Sequence, residues 1–227
     1  MDVQIRHTPS FAVARCTLKG GETMRAESGA MMATSDGVAI QASMQGGLVK
    51  SLKRSVLGGE SLFITTYTAP AQGGWVDCAA RLPGDAMLAS LTGEQALNIQ
   101  RGSYLCSEST IEIDTKWGGF KNLFGGEGGF LIRATGSGEV VASCYGALDR
   151  MTLAAGEKVT VDSGHMVAYD DTVQMTLRRA AAGGLTSLTS GERFVFDFTG
   201  PGEVMVQSRN PDELISWLTT ALPFSRQ

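Results

Sequence analysis

His165 is the only histidine in the body of this 227-residue chain, and Asp162, Ser163, Asp170 and Asp171 lie near it in sequence. Ser163-Gly164-His165 holds a hydroxyl and an imidazole, the parts of a nucleophile and its base. The spacing speaks against that use. The two residues are two apart on a strand-like segment, and the same position in two similar stretches carries Ala30 and Ser103. A slot that takes Ala, Ser and His reads as a surface or hairpin position. A cupin-type metal site needs two or three His with a carboxylate, and the second histidine, His7, sits in the N-terminal arm. Cys16, Cys78, Cys106 and Cys144 form no C-x-x-C pair and stand in apolar, strand-like contexts. They read as small core residues in a reducing compartment, which makes the chain cytoplasmic. No catalytic residue, metal ligand or cofactor is expected.

Two further sets of residues could do chemistry or binding. Glu22, Glu60, Glu94, Glu127, Glu157 and Glu192 each follow a glycine. A carboxylate repeated at turn ends serves backbone N–H groups or an arginine across the turn rather than proton transfer, which needs a special environment. Basic and bulky apolar residues mix in two loops. One carries Leu48, Lys50, Leu52, Lys53 and Arg54, the other Lys116, Trp117, Phe120, Lys121 and Phe124. These ten are the candidate interaction residues. They suit a homo-oligomer interface or a protein partner first. A membrane surface or RNA comes second, because cations flank apolar and aromatic side chains there. A net charge of −4 and a pI near 5.2 weigh against a general nucleic-acid coat, and no DNA partner is expected.

The elements that would hold these residues come in three copies. Leu18, Leu91 and Leu153 each precede a glycine by 11 residues, at Gly29, Gly102 and Gly164. From that glycine an apolar residue follows at +9 (Val38, Ile111, Val173) and at +11 (Ile40, Ile113, Met175), one face of a strand. Glycine pairs recur at Gly46-Gly47, Gly118-Gly119 and Gly183-Gly184, and a glycine turn and valine close each copy at Val76, Val140 and Val204. The runs at 111–114, 173–177 and 204–207 alternate apolar and polar side chains, as half-buried strands do. The spacing predicts an all-β chain of β-sandwich or double-stranded β-helix-like units with pseudo-threefold symmetry. It is one compact domain, 1–227, with repeats at 18–80, 88–146 and 150–208. A helix follows over 210–222, with Asn210 as N-cap, Pro211 in the first turn and Pro223 as terminator. Its apolar face (Leu214, Ile215, Trp217, Leu218, Leu222) is expected to cover one end of the β array, with an oligomer contact as the alternative.

Glycine at 29 of 227 belongs to the turns of such an array, since no Gly-Lys-Ser/Thr phosphate loop is present. With 43% hydrophobic and 19% charged residues the chain is not a disordered one. No apolar run approaches the ~20 residues that span a bilayer. Met1-Asp2 opens no basic, apolar and small-residue succession, so no signal peptide is expected.

The stretches 46–54 with 58–63, 118–130 and 195–202 resemble the bacterial branch of the altered-inheritance-of-mitochondria (mitochondrial biogenesis) family. The resemblance runs from about Leu18 to Leu222. It implies a fold similar to the tryptophan RNA-binding attenuation protein, three units per chain, and no catalytic residues. Function is therefore expected to be non-catalytic binding or scaffolding. An RNA- or membrane-surface-associated regulator is the alternative, and a small-molecule enzyme comes third.

Overall fold

A computed structural model of the chain describes residues 1–44, 63–114, 131–180 and 194–222. These residues form nineteen strands and one α-helix. The first stretch holds β1 (Asp2–Arg6), β2 (Val13–Leu18), β3 (Thr23–Glu27), β4 (Met31–Thr34) and β5 (Ala39–Met44). The second holds β6 (Phe63–Thr68), β7 (Gly74–Ala79), β8 (Ala86–Thr92), β9 (Leu97–Gln100), β10 (Tyr104–Glu108) and β11 (Glu112–Asp114). The third holds β12 (Leu131–Thr135), β13 (Ser137–Ser143), β14 (Leu148–Leu153), β15 (Lys158–Asp162), β16 (Met166–Asp170) and β17 (Gln174–Arg179). The last holds β18 (Phe194–Thr199), β19 (Gly202–Gln207) and α1 (Pro211–Ala221).

The strands make four antiparallel sheets. Their orders are β1-β2-β7-β4, β5-β6-β3-β10-β13-β8, β11-β12-β9-β16-β19-β14 and β15-β18-β17. Alternation along the strands decides which core each residue serves. On β13, Val141 faces a first core with Cys16, Met24 and Tyr67, while Val140 and Ala142 face a second with Ile99 and Ile132. On β19, Met205 joins the second core and Val204 a third, which holds Tyr169, Phe196 and Phe198. Each six-stranded sheet is thus a wall shared by two cores.

One irregularity recurs. The register shifts between Met31 and Ala33 where β4 meets β7, between Tyr104 and Cys106 where β10 meets β13, and between Met166 and Ala168 where β16 meets β19. An extra residue of this kind interrupts strict alternation. Tyr104 therefore points into the second core while Leu105 and Cys106 both enter the first. Met166 enters the third core, and Val167 and Ala168 the second. The glycine pairs at 46–47, 118–119 and 183–184 lie outside the described residues, while Gly29 and the closing turns at Gly73, Gly136 and Gly202 have positive φ. At the β12–β13 turn Gly136 has φ +108°, and a Cβ there would fall 2.5 Å from the Thr110 carbonyl oxygen. Only glycine fits that combination.

Two expectations need correction. Ile40 is exposed on β5, whereas Ile113 is buried. Both strands, β5 and β11, are edges of their sheets, so the difference lies in packing: Ile113 belongs to the second core, and Ile40 to none of the three. The terminal helix forms where its caps place it, with the Asn210 side chain accepting from the Asp212 N–H at 2.9 Å. It does not cover an end of the array, however. None of its residues is buried, and Ile215 and Trp217 are 59% and 65% exposed. Its anchor is the buried Asn210, which packs so closely on Gly164 that any side chain there would collide with it. The anchor fixes where the helix starts; Leu214 and Leu218 on its apolar face are half-buried, while Ile215, Trp217 and Leu222 are left in solvent. No helix among the described residues is long and apolar enough to cross a membrane.

Candidate functional site

The ends of β3, β9, β13 and β19 converge on a cleft of about 210 Å³. Its polar lining comes from Glu27, Arg81, Gln100, Ser103, Ser143 and Gln207, and its apolar lining from Ala80, Leu82, Tyr145 and Pro211. The backbone explains why these side chains meet. Glu27 and Gln100 are the last residues of β3 and β9, each just before a connection to the next strand. Gln207 ends β19 and is buried. Its Nε2 donates to the Gly164 carbonyl at 2.9 Å, and its Oε1 accepts from the Tyr145 N–H at 2.8 Å. Those two bonds leave Gln207 fixed as part of the wall.

The free hydrogen-bonding capacity lies on the other side. Gln100 Oε1 is buried and has no hydrogen-bond partner among the described residues. Burial pushes the Glu27 carboxyl above the ordinary carboxylate range, against the opposing fields of Arg81 and Arg101. Arg81 donates to the Ser28 carbonyl at 3.3 Å and is an exposed member of the cleft lining. The arrangement offers two acceptors and one cation within one small concavity.

The residues singled out by sequence fall elsewhere. All ten candidate interaction residues, Leu48, Lys50, Leu52, Lys53, Arg54, Lys116, Trp117, Phe120, Lys121 and Phe124, lie outside the described residues. Ser163 and His165 sit in a 3-10 turn, not on a strand, and His165 Nδ1 lies 2.7 Å from the Gln207 carbonyl oxygen. Of the glycine-following glutamates, Glu22 accepts from the Lys19 N–H and Glu157 from the Ala154 N–H, both at 2.8 Å. That is the turn-closing role expected of them. Glu60, Glu127 and Glu192 lie outside the described residues.

Two clusters escaped sequence reasoning. Asp77 is buried between Arg6 (2.9 Å) and Arg15 (2.8 Å to each oxygen), and Arg15 also lies 4.0 Å over the Trp75 ring. The hydrogen bonds from Arg15, with the charge of Arg6, hold the Asp77 carboxyl below the ordinary value. All four cysteines are buried and free, as their contexts suggested. Three of them meet in the first core, where Cys16 Sγ and Cys106 Sγ are 3.7 Å apart and Cys78 completes the group. Hydrogen bonds to Cys16 and Cys78, together with burial, keep the Cys106 thiol protonated. Sequence separations of 62 and 28 residues give no hint of this meeting. Among the described residues no group of three or more His, Cys, Asp or Glu is placed to hold a metal ion.

Comparison with known proteins agrees with the fold. The chain is 27% identical over 233 residues to an uncharacterized protein of Streptococcus pyogenes serotype M6, spanning 99% of this chain and 92% of that one. It superposes on the crystal structure of a Streptococcus pyogenes protein with a TM-score of 0.80 at 25% identity, over 97% of this chain and 99% of the other. Residues 3–209 match the family described as mitochondrial biogenesis AIM24. With nearly its whole length accounted for in this way, the chain belongs to the mitochondrial biogenesis AIM24 family.

Proposed function

We propose that the protein is a non-catalytic binding protein built as one compact domain of three equivalent six-stranded units, with its ligand site in the cleft where the units converge. Equal strand orders support the three units: β2-β7-β4, β8-β13-β10 and β14-β19-β16 run alike, as do β5-β6-β3, β11-β12-β9 and β17-β18-β15. The thrice-repeated register shift supports them too. Gly29, Gly102 and Gly164 each stand in the connection between the second and third strand of a unit. Measured by strands, the units would run from Val13, Ala86 and Leu148, each slightly ahead of the sequence boundaries 18, 88 and 150. The four buried free thiols support residence in a reducing, cytosolic compartment. Association through the loops at 48–54 and 116–124 rests on sequence alone and is a separate proposal.

The observation that carries the binding reading is the buried Gln100 Oε1, unpartnered among the described residues, in a cleft that the Glu27 carboxyl also lines. A buried acceptor without a donor costs free energy that a ligand N–H would recover. Arg81 in the cleft lining supplies the complementary cation. A small zwitterion, with an ammonium for Glu27 and Gln100 and a carboxylate for Arg81, has the matching groups and size. Thermal-shift and calorimetric titrations with a panel of free amino acids, simple primary amines and simple carboxylates test this. A zwitterion should stabilise the parent, and amine or carboxylate alone should do less. Gln100→Leu or Glu27→Gln should weaken binding roughly tenfold, the loss of one hydrogen bond to a charged group. No stabilisation by any member, or binding untouched by both variants, overturns the cleft as a ligand site.

A further inference from the structure

The first core is walled by two sheets, and thiols from both walls meet inside it. Cys16 on β2 and Cys78 on β7 enter it from the four-stranded sheet, and Cys106 on β10 enters it from a six-stranded one. All three are fully buried, and each hydrogen-bonds with the other two. Cys16 Sγ and Cys106 Sγ lie 3.7 Å apart, although 90 residues of sequence separate them. Cys106 stands opposite Ala26 across its ladder and Cys78 opposite Ala14, so the neighbouring side chains are small. The gap that remains to the ~2.05 Å of a disulfide is one that χ1 rotation at the two residues closes.

The fourth cysteine makes the contrast. Cys144 belongs to the second core, and its thiol donates to the Gly146 carbonyl at 3.4 Å. Burial pushes it up to about 11. Hydrogen bonds from Cys106 and Cys78 act the other way on Cys16 and hold it below the ordinary thiol value against its burial. The thiolate is the form that reacts with oxidants, so one chain carries a primed thiol with a second thiol in reach and an inert one elsewhere.

We propose that Cys16 and Cys106 are a redox modification site, which hydrogen peroxide converts to a disulfide that straps the four-stranded sheet to the six-stranded one, with Cys78 as the hydrogen-bond donor that activates Cys16. The Cys16 thiolate attacks one peroxide oxygen. The S–O bond forms, the O–O bond breaks, and hydroxide leaves to take up the proton that Cys16 released, giving water. The Cys106 sulfur then attacks the Cys16 sulfenic sulfur. The S–S bond forms, the S–O bond breaks, and the second oxygen leaves as water with the proton already on it and the proton of Cys106. Two electrons pass from the two thiols to the peroxide. Burial selects this oxidant. A peroxide molecule is near the size of water and enters in brief local openings, whereas a mixed disulfide with a larger reagent has no room in a close-packed core.

Peptide mapping of the 227-residue chain tests it, after exposure of the folded protein to hydrogen peroxide and blocking of the remaining thiols in denaturant. The Cys16 and Cys106 peptides should be found joined, in a chain lighter by two hydrogens. Cys16 should be consumed at least about tenfold faster than Cys144, a difference that unfolding the chain before treatment should erase. The oxidised chain should melt about 5–10 °C higher, since the strap closes a long loop. Cys78→Ala should slow the loss of Cys16 about fivefold, the worth of one hydrogen bond. Should that variant fail to fold, the parent's own map decides. Four thiols left intact, Cys16 and Cys144 lost at one rate, Cys16 joined to Cys78 or Cys144, or sulfinic acids without a crosslink each overturn the site. A folded Cys78→Ala variant that reacts as the parent does overturns the role of Cys78. Glutathione disulfide, offered in place of peroxide, should leave the folded chain unchanged, and equal reaction with it overturns the choice of oxidant.

Discussion

The first and third cores both lie against antiparallel sheets and are filled with different chemistry. The first is lined by alanine and cysteine around Met24, with Tyr67 its one buried ring. A carboxylate, Asp77, lies on β7 with Arg6 and Arg15 on it. The third holds no alanine and is built on rings, with Tyr169 and Phe196 at 5.2 and 5.9 Å from Phe198. The difference teaches that turns, register shifts and alternation specify the strand order, while the core needs only to fill the volume between the walls. Stability should then be concentrated in a few rings in the third core and dispersed over many small contacts in the first.

The sharpest way to break this comparison is truncation. Phe198→Ala should cost about 3–5 kcal/mol, because the Tyr169 and Phe196 rings against it cannot collapse into the space. Cys106→Ala in the first core should cost far less, about 1 kcal/mol for one buried group of methylene size. Denaturant melts of the two variants read the difference directly, and equal losses would refute the idea of a concentrated third core.

Removing the ion pair should come next in size. Asp77→Ala leaves Arg6 and Arg15 facing a buried void, and loss of one partner from a buried pair costs about 3 kcal/mol. The Asp77 pKa is lowered by folding, so its contribution is full above the ordinary carboxylate value of 3.8 and fades as pH falls through the lowered one. The gap between parent and Asp77→Ala should therefore narrow only in strong acid. A gap that closes nearer neutrality would show that the arginines do not hold the carboxylate.

The smallest effect is expected at Glu27, where the sign reverses. Folding raises this pKa, so the native state binds the extra proton and stability falls as pH climbs from the ordinary value of 4.5 through the raised one. Glu27→Gln should lack that decline and gain on the parent above it. Thermal melts between acid and neutral pH check the crossing, and parallel curves would refute the burial of this carboxyl.

Much of the architecture was legible because it is written in local geometry. Glycine spacing marks turns, alternation at 111–114 and 204–207 marks half-buried strands, and Asn210-Pro211 marks a helix start. The site was not legible, because Glu27, Arg81, Gln100 and Gln207 meet only where separate sheets end. Asp77 looks like any polar residue in an alternating strand until Arg6 and Arg15 are seen beside it. The periodicity of α1 announces an apolar face and carries no information on whether anything covers it.

The shared sheets have a consequence for how the chain comes apart. Val141 and Val140, adjacent on β13, belong to different cores. Opening the first core would strip one side of that wall and leave half of its apolar surface in water, while the second core would lose its backing. Val204 and Met205 couple the second and third cores in the same way. Three separate cores are thereby bound into one cooperative transition. Hydrogen exchange in the central strands β9, β10, β13 and β16 should accordingly report a single global opening, with the strands around no one core exchanging their protons alone.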